Sequence, residues 1–241
     1  MILALNTATI QYSIALLHAS GSLRAEVFLA PGSTRYASFL PNLHHVLQTS
    51  QTDIGQLEAV VVTTGPGSFT GLRVGLATAK GLAQGLQRPI IGISSLEAMA
   101  AQLAASAHPI CPILNSRRGE VFCAVFGHDR EGRLEQIEAI TCLPFEDLPR
   151  YVKGPTVFVG HDFEEQAPRI KAILGSRACL APAHLWTLKA SAVGARGLER
   201  HRAQDCDDLD SLVPIYLRPP DIRSNPFPLV TNPVDNPVPQ K

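Results

Sequence analysis

The sequence predicts an α/β protein of two related lobes, each a mixed sheet that starts from a three-strand meander and carries flanking helices. Three observations lead to it. Strand, polar residue, hairpin and third strand occur twice, at about residues 2–29 and 110–140, and repetition marks related structural units. The β-branched run Leu57 to Val62 passes directly into a glycine-rich turn, as a parallel strand buried on both faces does. Apolar residues at helical spacing follow each meander.

Taken in order, Met1 to Leu5 is an apolar run that ends in Asn6-Thr7-Ala8-Thr9. Tyr12 to His18 follows as a second strand, and Gly21-Ser22 turns the chain into a third at Leu23 to Leu29. From Ser38 to Leu47 the apolar residues Phe39, Leu40, Leu43, Val46 and Leu47 have the spacing of an amphipathic helix, with Pro41 tolerated near its first turn. The strand at Leu57 to Val62 enters Gly65-Pro66-Gly67-Ser68, and a helix runs from about Gly71 to Leu86. In it Gly71, Gly75 and Ala79 recur every fourth position. Each helical glycine costs about 1 kcal/mol against alanine, so the stripe implies close approach of another backbone. Packing on the chain's own sheet and packing on a second subunit both satisfy that.

Pro89 to Ile93 is a strand, and Ser94 with Glu97 forms a capping box for the next helix. The pattern then restarts: a strand from Ile110 to Asn115, a turn at Arg117-Arg118-Gly119, and strands at Glu120 to Phe126 and Arg133 to Ile140. Thr156 to Val159 reads as a strand, and Glu164 to Leu174 and about Leu188 to Arg200 as helices. This divides the chain into a first lobe at 1–100, a second at 101–218 and a tail at 219–241. The tail holds Pro219, Pro220, Pro226, Pro228, Pro233, Pro237 and Pro239 and is expected to be disordered.

Composition narrows the function. With 21 acidic and 21 basic residues there is no net field to draw in nucleic acid or anionic lipid. The five cysteines have neither disulfide-framework nor zinc-knuckle spacing and read as reduced core residues of a cytoplasmic protein. No apolar run reaches membrane-spanning length. No His-x-x-x-His pair or Gly-x-Ser-x-Gly elbow occurs, so no metal site and no serine nucleophile are expected.

Chemistry has few places to sit. A glycine turn opening a helix can hold phosphate on its backbone N–H groups. Here no lysine follows Gly71, so the loop is not of Walker type, and the third glycine stands one residue late for a dinucleotide loop. Asn6 and Asn115 end equivalent strands, where a two-lobed nucleotide enzyme would place aspartates. A neutral amide cannot act as a general base. Asp162, Asp205 and Asp208 are the acids an active phosphotransferase or ATPase would have to recruit instead. Arg117 and Arg118 form a basic hairpin tip suited to RNA or to an acidic partner.

Four segments carry a family resemblance: Ile2-Leu3-Ala4-Leu5-Asn6-Thr7, the block from Gly65 to Gly75, Arg117-Arg118-Gly119-Glu120-Val121-Phe122, and Pro214-Ile215-Tyr216-Leu217-Arg218. Over about residues 1–218 the chain resembles the TsaB (YeaZ) family of bacterial tRNA threonylcarbamoyladenosine biosynthesis proteins, once described as glycoproteases. The resemblance implies the actin-like (ASKHA, RNase H-like) fold and a non-catalytic role. In that role the protein pairs with the threonylcarbamoyltransferase TsaD, with TsaE joining and tRNA bound only through the complex. It also implies a homodimer when TsaD is absent, no cofactor of the chain's own, and ATP or ADP at most at a joint surface. The partner-binding residues carried over are Leu40, Leu43, Leu47, Leu72, Gly75, Leu76 and Ala79, expected to be buried between subunits. A vestigial nucleotide site would comprise Asn6, Thr7, Gly65, Gly67 and Ser68. The chain departs from the family pattern at Asn6, at Asn115-Ser116, and at Tyr36, where the family has acids and a histidine.

Overall fold

The computed structural model describes residues 1–29, 37–103, 106–117 and 119–217. Tyr36, Arg118 and the proline-rich tail lie outside the described residues. The first sheet contains β1 (Ile2–Asn6), β2 (Tyr12–Leu17), β3 (Leu23–Leu29), β4 (Ala59–Gly65) and β5 (Ile90–Ser94), in the order β3-β2-β1-β4-β5. The meander is antiparallel, and β4 and β5 join it in parallel. The second contains β6 (Ile110–Asn115), β7 (Glu120–His128), β8 (Leu134–Pro144), β9 (Thr156–Val159) and β10 (Ala178–Leu180), in the order β10-β9-β6-β7-β8. Its pairing directions repeat those of the first. The duplication inferred from the meanders therefore extends through all five strands of each lobe.

Alternation along the strands sorts the core. Ile2 and Ala4 face one hydrophobic cluster, and Leu3 and Leu5 face another. The second cluster is closed by helices α1 (Phe39–Thr49) and α2 (Phe69–Leu86), whose Phe39, Leu43, Leu76 and Ala79 pack on the outer side of the first sheet. The first cluster runs between the lobes and holds helices α3 (Ser95–Ala101) and α6 (Ala190–Arg202). Contacts cross the expected boundary at residue 100. Helix α6 and the segment after it belong spatially to the first lobe, for α6 packs across β1, β2, β4 and β5, while α3, from the first half of the sequence, packs on β6. The two helices touch, and Arg196 reaches Glu97 at 2.8 Å. Glu97 thus spends its carboxylate on α6, while its N–H is capped by Ser94 at 3.5 Å.

Beyond α6 the chain straps the first lobe. Asp207 accepts from the Gly92 N–H at 2.7 Å and donates its own N–H to Ile90 at 3.0 Å, which covers the outer edge of β5. Ile215 donates to the Thr64 carbonyl at 2.8 Å and brings Tyr216 to the end of β4. The short helix α4 (Leu148–Tyr151) and strand β10 were not anticipated; both are below the length at which periodicity can be read. The remaining helix, α5 (Phe163–Leu174), starts from an Asp162 cap.

Candidate functional site

The C-terminal ends of β1, β4 and β6 open onto a cleft of about 610 Å³ between the lobes. One wall is the Ala8–Ile10 turn with Pro66–Phe69 and Arg73; the other is Leu114–Arg117 with Phe122 and His161; Ile215–Leu217 close the rim.

Asn6 is not on the wall. It is fully buried, donates from Nδ2 to the Leu188 carbonyl at 2.8 Å and accepts from the Ala8 N–H at 3.1 Å. Beside it the Ser13 hydroxyl accepts from the Ala190 N–H at 2.8 Å, so the pair anchors the start of α6. That position needs a donor toward a carbonyl and an acceptor toward an amide, which asparagine supplies and aspartate does not. Asparagine at this position is thus accounted for by its two main-chain partners. Thr7 is equally buried, and a Cβ on Gly75 would stand 2.1 Å from its Oγ1. The small-residue stripe of α2 therefore serves the chain's own interior. Leu43, Leu47, Leu72, Gly75, Leu76 and Ala79 are all buried without a partner, whereas Leu40 is 59% exposed. The outward side of α2 carries Arg73, Ala77, Gly81, Gln84 and Gly85.

The glycine turn is committed to the protein. Gly65 adopts φ +111° before a cis Pro66. Gly67 lies so close to the Ala8 carbonyl that a Cβ would stand 2.2 Å from its oxygen. Ser68 donates its N–H to the same carbonyl at 2.7 Å, and its hydroxyl caps α2 by accepting from the Gly71 N–H at 3.3 Å. Two of the backbone donors expected to face an anion, the Ser68 and Gly71 N–H groups, thus have partners inside the first lobe. Of the five residues given to a vestigial nucleotide site, Gly67 and Ser68 line the cleft and Asn6, Thr7 and Gly65 do not.

Asn115 does line the cleft; its Oδ1 accepts from Gln166 at 2.8 Å. Gln166, fully buried, also accepts the His161 N–H at 3.2 Å and the Asp162 N–H at 3.4 Å. Burial holds the His161 imidazole below its ordinary pKa. Sequence reasoning missed this cluster, because a glutamine inside a helix gives no signal of its own. It also missed the grouping of Phe69, Arg73 and Tyr216. The Arg73 guanidinium lies 3.8 Å over the Phe69 ring and binds the Tyr216 hydroxyl through Nε at 3.1 Å. The rings of Phe69 and Tyr216 are 5.4 Å apart. The Gly65–Gly75 block and the Pro214–Arg218 segment each stand out in the sequence, but only the fold brings them together. Arg117 reaches the opposite wall, as its hairpin position predicts.

Among the described residues no carboxylate lines the cleft. Asp162 caps α5 by accepting from Glu165 at 3.1 Å, Asp205 pairs with Arg200 at 2.7 Å, and Asp208 caps the Ser211 N–H at 2.9 Å. Each acid proposed as a substitute base has a local structural partner. Among the described residues no group of three or more His, Cys, Asp or Glu is placed to hold a metal, and no helix is long and apolar enough to cross a membrane.

Comparison with known proteins places this arrangement. Residues 36–144 match the family model described as TsaD, tRNA N6-adenosine threonylcarbamoyltransferase. YeaZ from Pseudomonas aeruginosa superposes with a TM-score of 0.75 at 22% identity, over 90% of this chain and 99% of that one, and shares the two-lobed fold. The EutJ ethanolamine utilization protein of Carboxydothermus hydrogenoformans gives a TM-score of 0.52 at 11% identity, over 80% of this chain and 88% of that one. The Escherichia coli protein named tRNA threonylcarbamoyladenosine biosynthesis protein TsaB is 37% identical over 143 residues, 58% of this chain and 61% of the relative. Its Bacillus subtilis namesake is 31% identical over 220 residues, 90% of this chain and 93% of the relative. On that coverage the chain belongs to the TsaB family.

Proposed function

We propose that this protein is the non-catalytic partner of the transferase TsaD in placing threonylcarbamoyl on the adenosine next to the tRNA anticodon, with TsaE joining the complex and tRNA reached only through it. The observation that carries the reading is the fate of Asn6. At the strand end where a phosphotransferase would hold an acid, the side chain is used up in anchoring α6, and no carboxylate among the described residues lines the cleft beyond it. The protein would act in the cytoplasm, pair with itself when TsaD is absent, and meet any ATP or ADP only at a joint surface.

The partner face follows from the outward sides of α1 and α2: Leu40 and the Ala77-Gly81-Gly85 stripe, where a Cβ on either glycine meets no atom within 4 Å. Leu43, Leu47, Leu72, Gly75, Leu76 and Ala79 lie beneath that face and shape it. Gly81→Arg should abolish co-purification with TsaD and leave the monomer folded. Depletion of the protein should remove threonylcarbamoyladenosine from tRNA, read by nucleoside mass spectrometry. Unchanged modification on depletion would end the proposal, as would ATP turnover by the isolated chain.

A further inference from the structure

We propose that the mouth of the inter-lobe cleft docks an acidic peptide segment of a partner protein, one that carries apolar or aromatic side chains between its carboxylates. The charge argument comes first. The whole chain balances 21 acids against 21 bases, yet the described residues lining the cleft include arginines from both lobes, Arg73 and Arg117, and no carboxylate; Arg117 is engaged within the chain, so Arg73 is the cation that meets the ligand. Arg73 has no carboxylate partner among the described residues, and its guanidinium is held flat between Phe69 and the Tyr216 hydroxyl. A planar, oriented guanidinium receives a carboxylate through two parallel N–H donors at little further entropic cost.

The rim supplies the apolar half of the match. Ile10, Phe69 and Tyr216 line the mouth and are 46%, 42% and 45% exposed. Aromatic residues beside arginine are the composition of an interface centre. A phosphate ligand fits the same lining less well. The Ala8 N–H is taken by Asn6, the Ser68 N–H by Ala8 and the Gly71 N–H by the Ser68 hydroxyl, which removes three donors from any backbone cradle and leaves the Arg73 guanidinium as the stronger anion partner.

The test uses the full chain alone and so stands apart from the tRNA-modification reading. Fluorescence anisotropy would follow a short labelled peptide in which Asp and Glu alternate with Leu and Phe, against a control with Lys at each acidic position. The acidic peptide should bind and the control should not, and added salt should weaken binding. Arg73→Gln should cost about tenfold in affinity, with unchanged circular dichroism and thermal midpoint. Phe69→Ala provides a second variant that leaves both charges in place and should also weaken binding. Equal binding of both peptides, no binding of either, or native affinity in both variants would overturn the proposal. So would binding of ATP, or of a synthetic peptide of residues 219–241, by a chain that ignores the acidic peptide.

Discussion

The two lobes share one topology but build the turn from parallel strand to helix by different means. In the first, β4 meets α2 through glycine and proline, and the turn is pressed against the carbonyl of Ala8. In the second, β9 meets α5 through Gly160-His161-Asp162, and the buried amide of Gln166 folds back to satisfy the turn. One junction is backbone against backbone, the other backbone against side chain. The same contrast separates Asn6, fully buried and bound to main-chain groups, from Asn115, half-buried and bound to Gln166. A duplicated fold can thus hold equivalent points with unequal rigidity, and the rigid copy is the one near the glycine block.

The sharpest way to break the contrast is to restore the acid at both strand ends. Asn6→Asp would remove the donor to Leu188 and set a buried carboxylate against a carbonyl, at a cost of about 3–5 kcal/mol. Asn115→Asp can still accept from Gln166 but exchanges its donor to the Glu165 carboxylate, 3.5 Å away, for a like charge near solvent, and should cost about 1–2 kcal/mol. Urea denaturation of the two variants measures the difference, and equal losses would erase it. Next in size are the two turn glycines. Gly67→Ala forces a Cβ onto a main-chain oxygen and should lose about 3 kcal/mol. Gly160→Ala meets first the Gln166 amide, at 2.0 Å, and then Trp186; side chains yield more readily, so about 1–2 kcal/mol is expected. Thermal midpoints would rank them, and a reversed order would show that the second turn is the stiffer.

The smallest effect concerns His161, which only the second junction has. Its pKa is lowered by burial, so the folded chain favours the neutral ring. Between the ordinary value of about 6.5 and the lower folded one, the unfolded chain binds the proton more readily. Stability is therefore undiminished above about pH 6.5 and falls as the pH drops through that window. His161→Gln should flatten this part of the profile, measured as urea midpoints between about pH 7 and pH 5. A profile identical to that of the native chain would remove His161 from the account.

Most of the architecture was legible because period and repeat are local properties. Both meanders, the β4 strand and helices α1, α2 and α5 lie within a few residues of where alternation and helical spacing put them. The helix stripe at Gly71, Gly75 and Ala79 was legible as close packing, but its neighbour was not, since Thr7 lies far away in sequence. Asn6 shows the same limit: its residue type excludes a base, yet its purpose depends on Leu188, which the fold alone brings near. The acids Asp162, Asp205 and Asp208 could be named from the sequence, but only geometry reveals that each caps a helix, turn or arginine.

The exchange of α3 and α6 between the lobes bears on how the protein is made. Each sheet is completed by a helix encoded in the other half of the sequence, and the strap that covers β5 is encoded still later. During synthesis the first lobe emerges with the inner face of β1 and β2 lacking the helix that covers it, until residues 190–202 have left the ribosome. Neither half of the coding sequence specifies a self-sufficient folding unit, so a cut between the lobes should yield two fragments that fold only when expressed together.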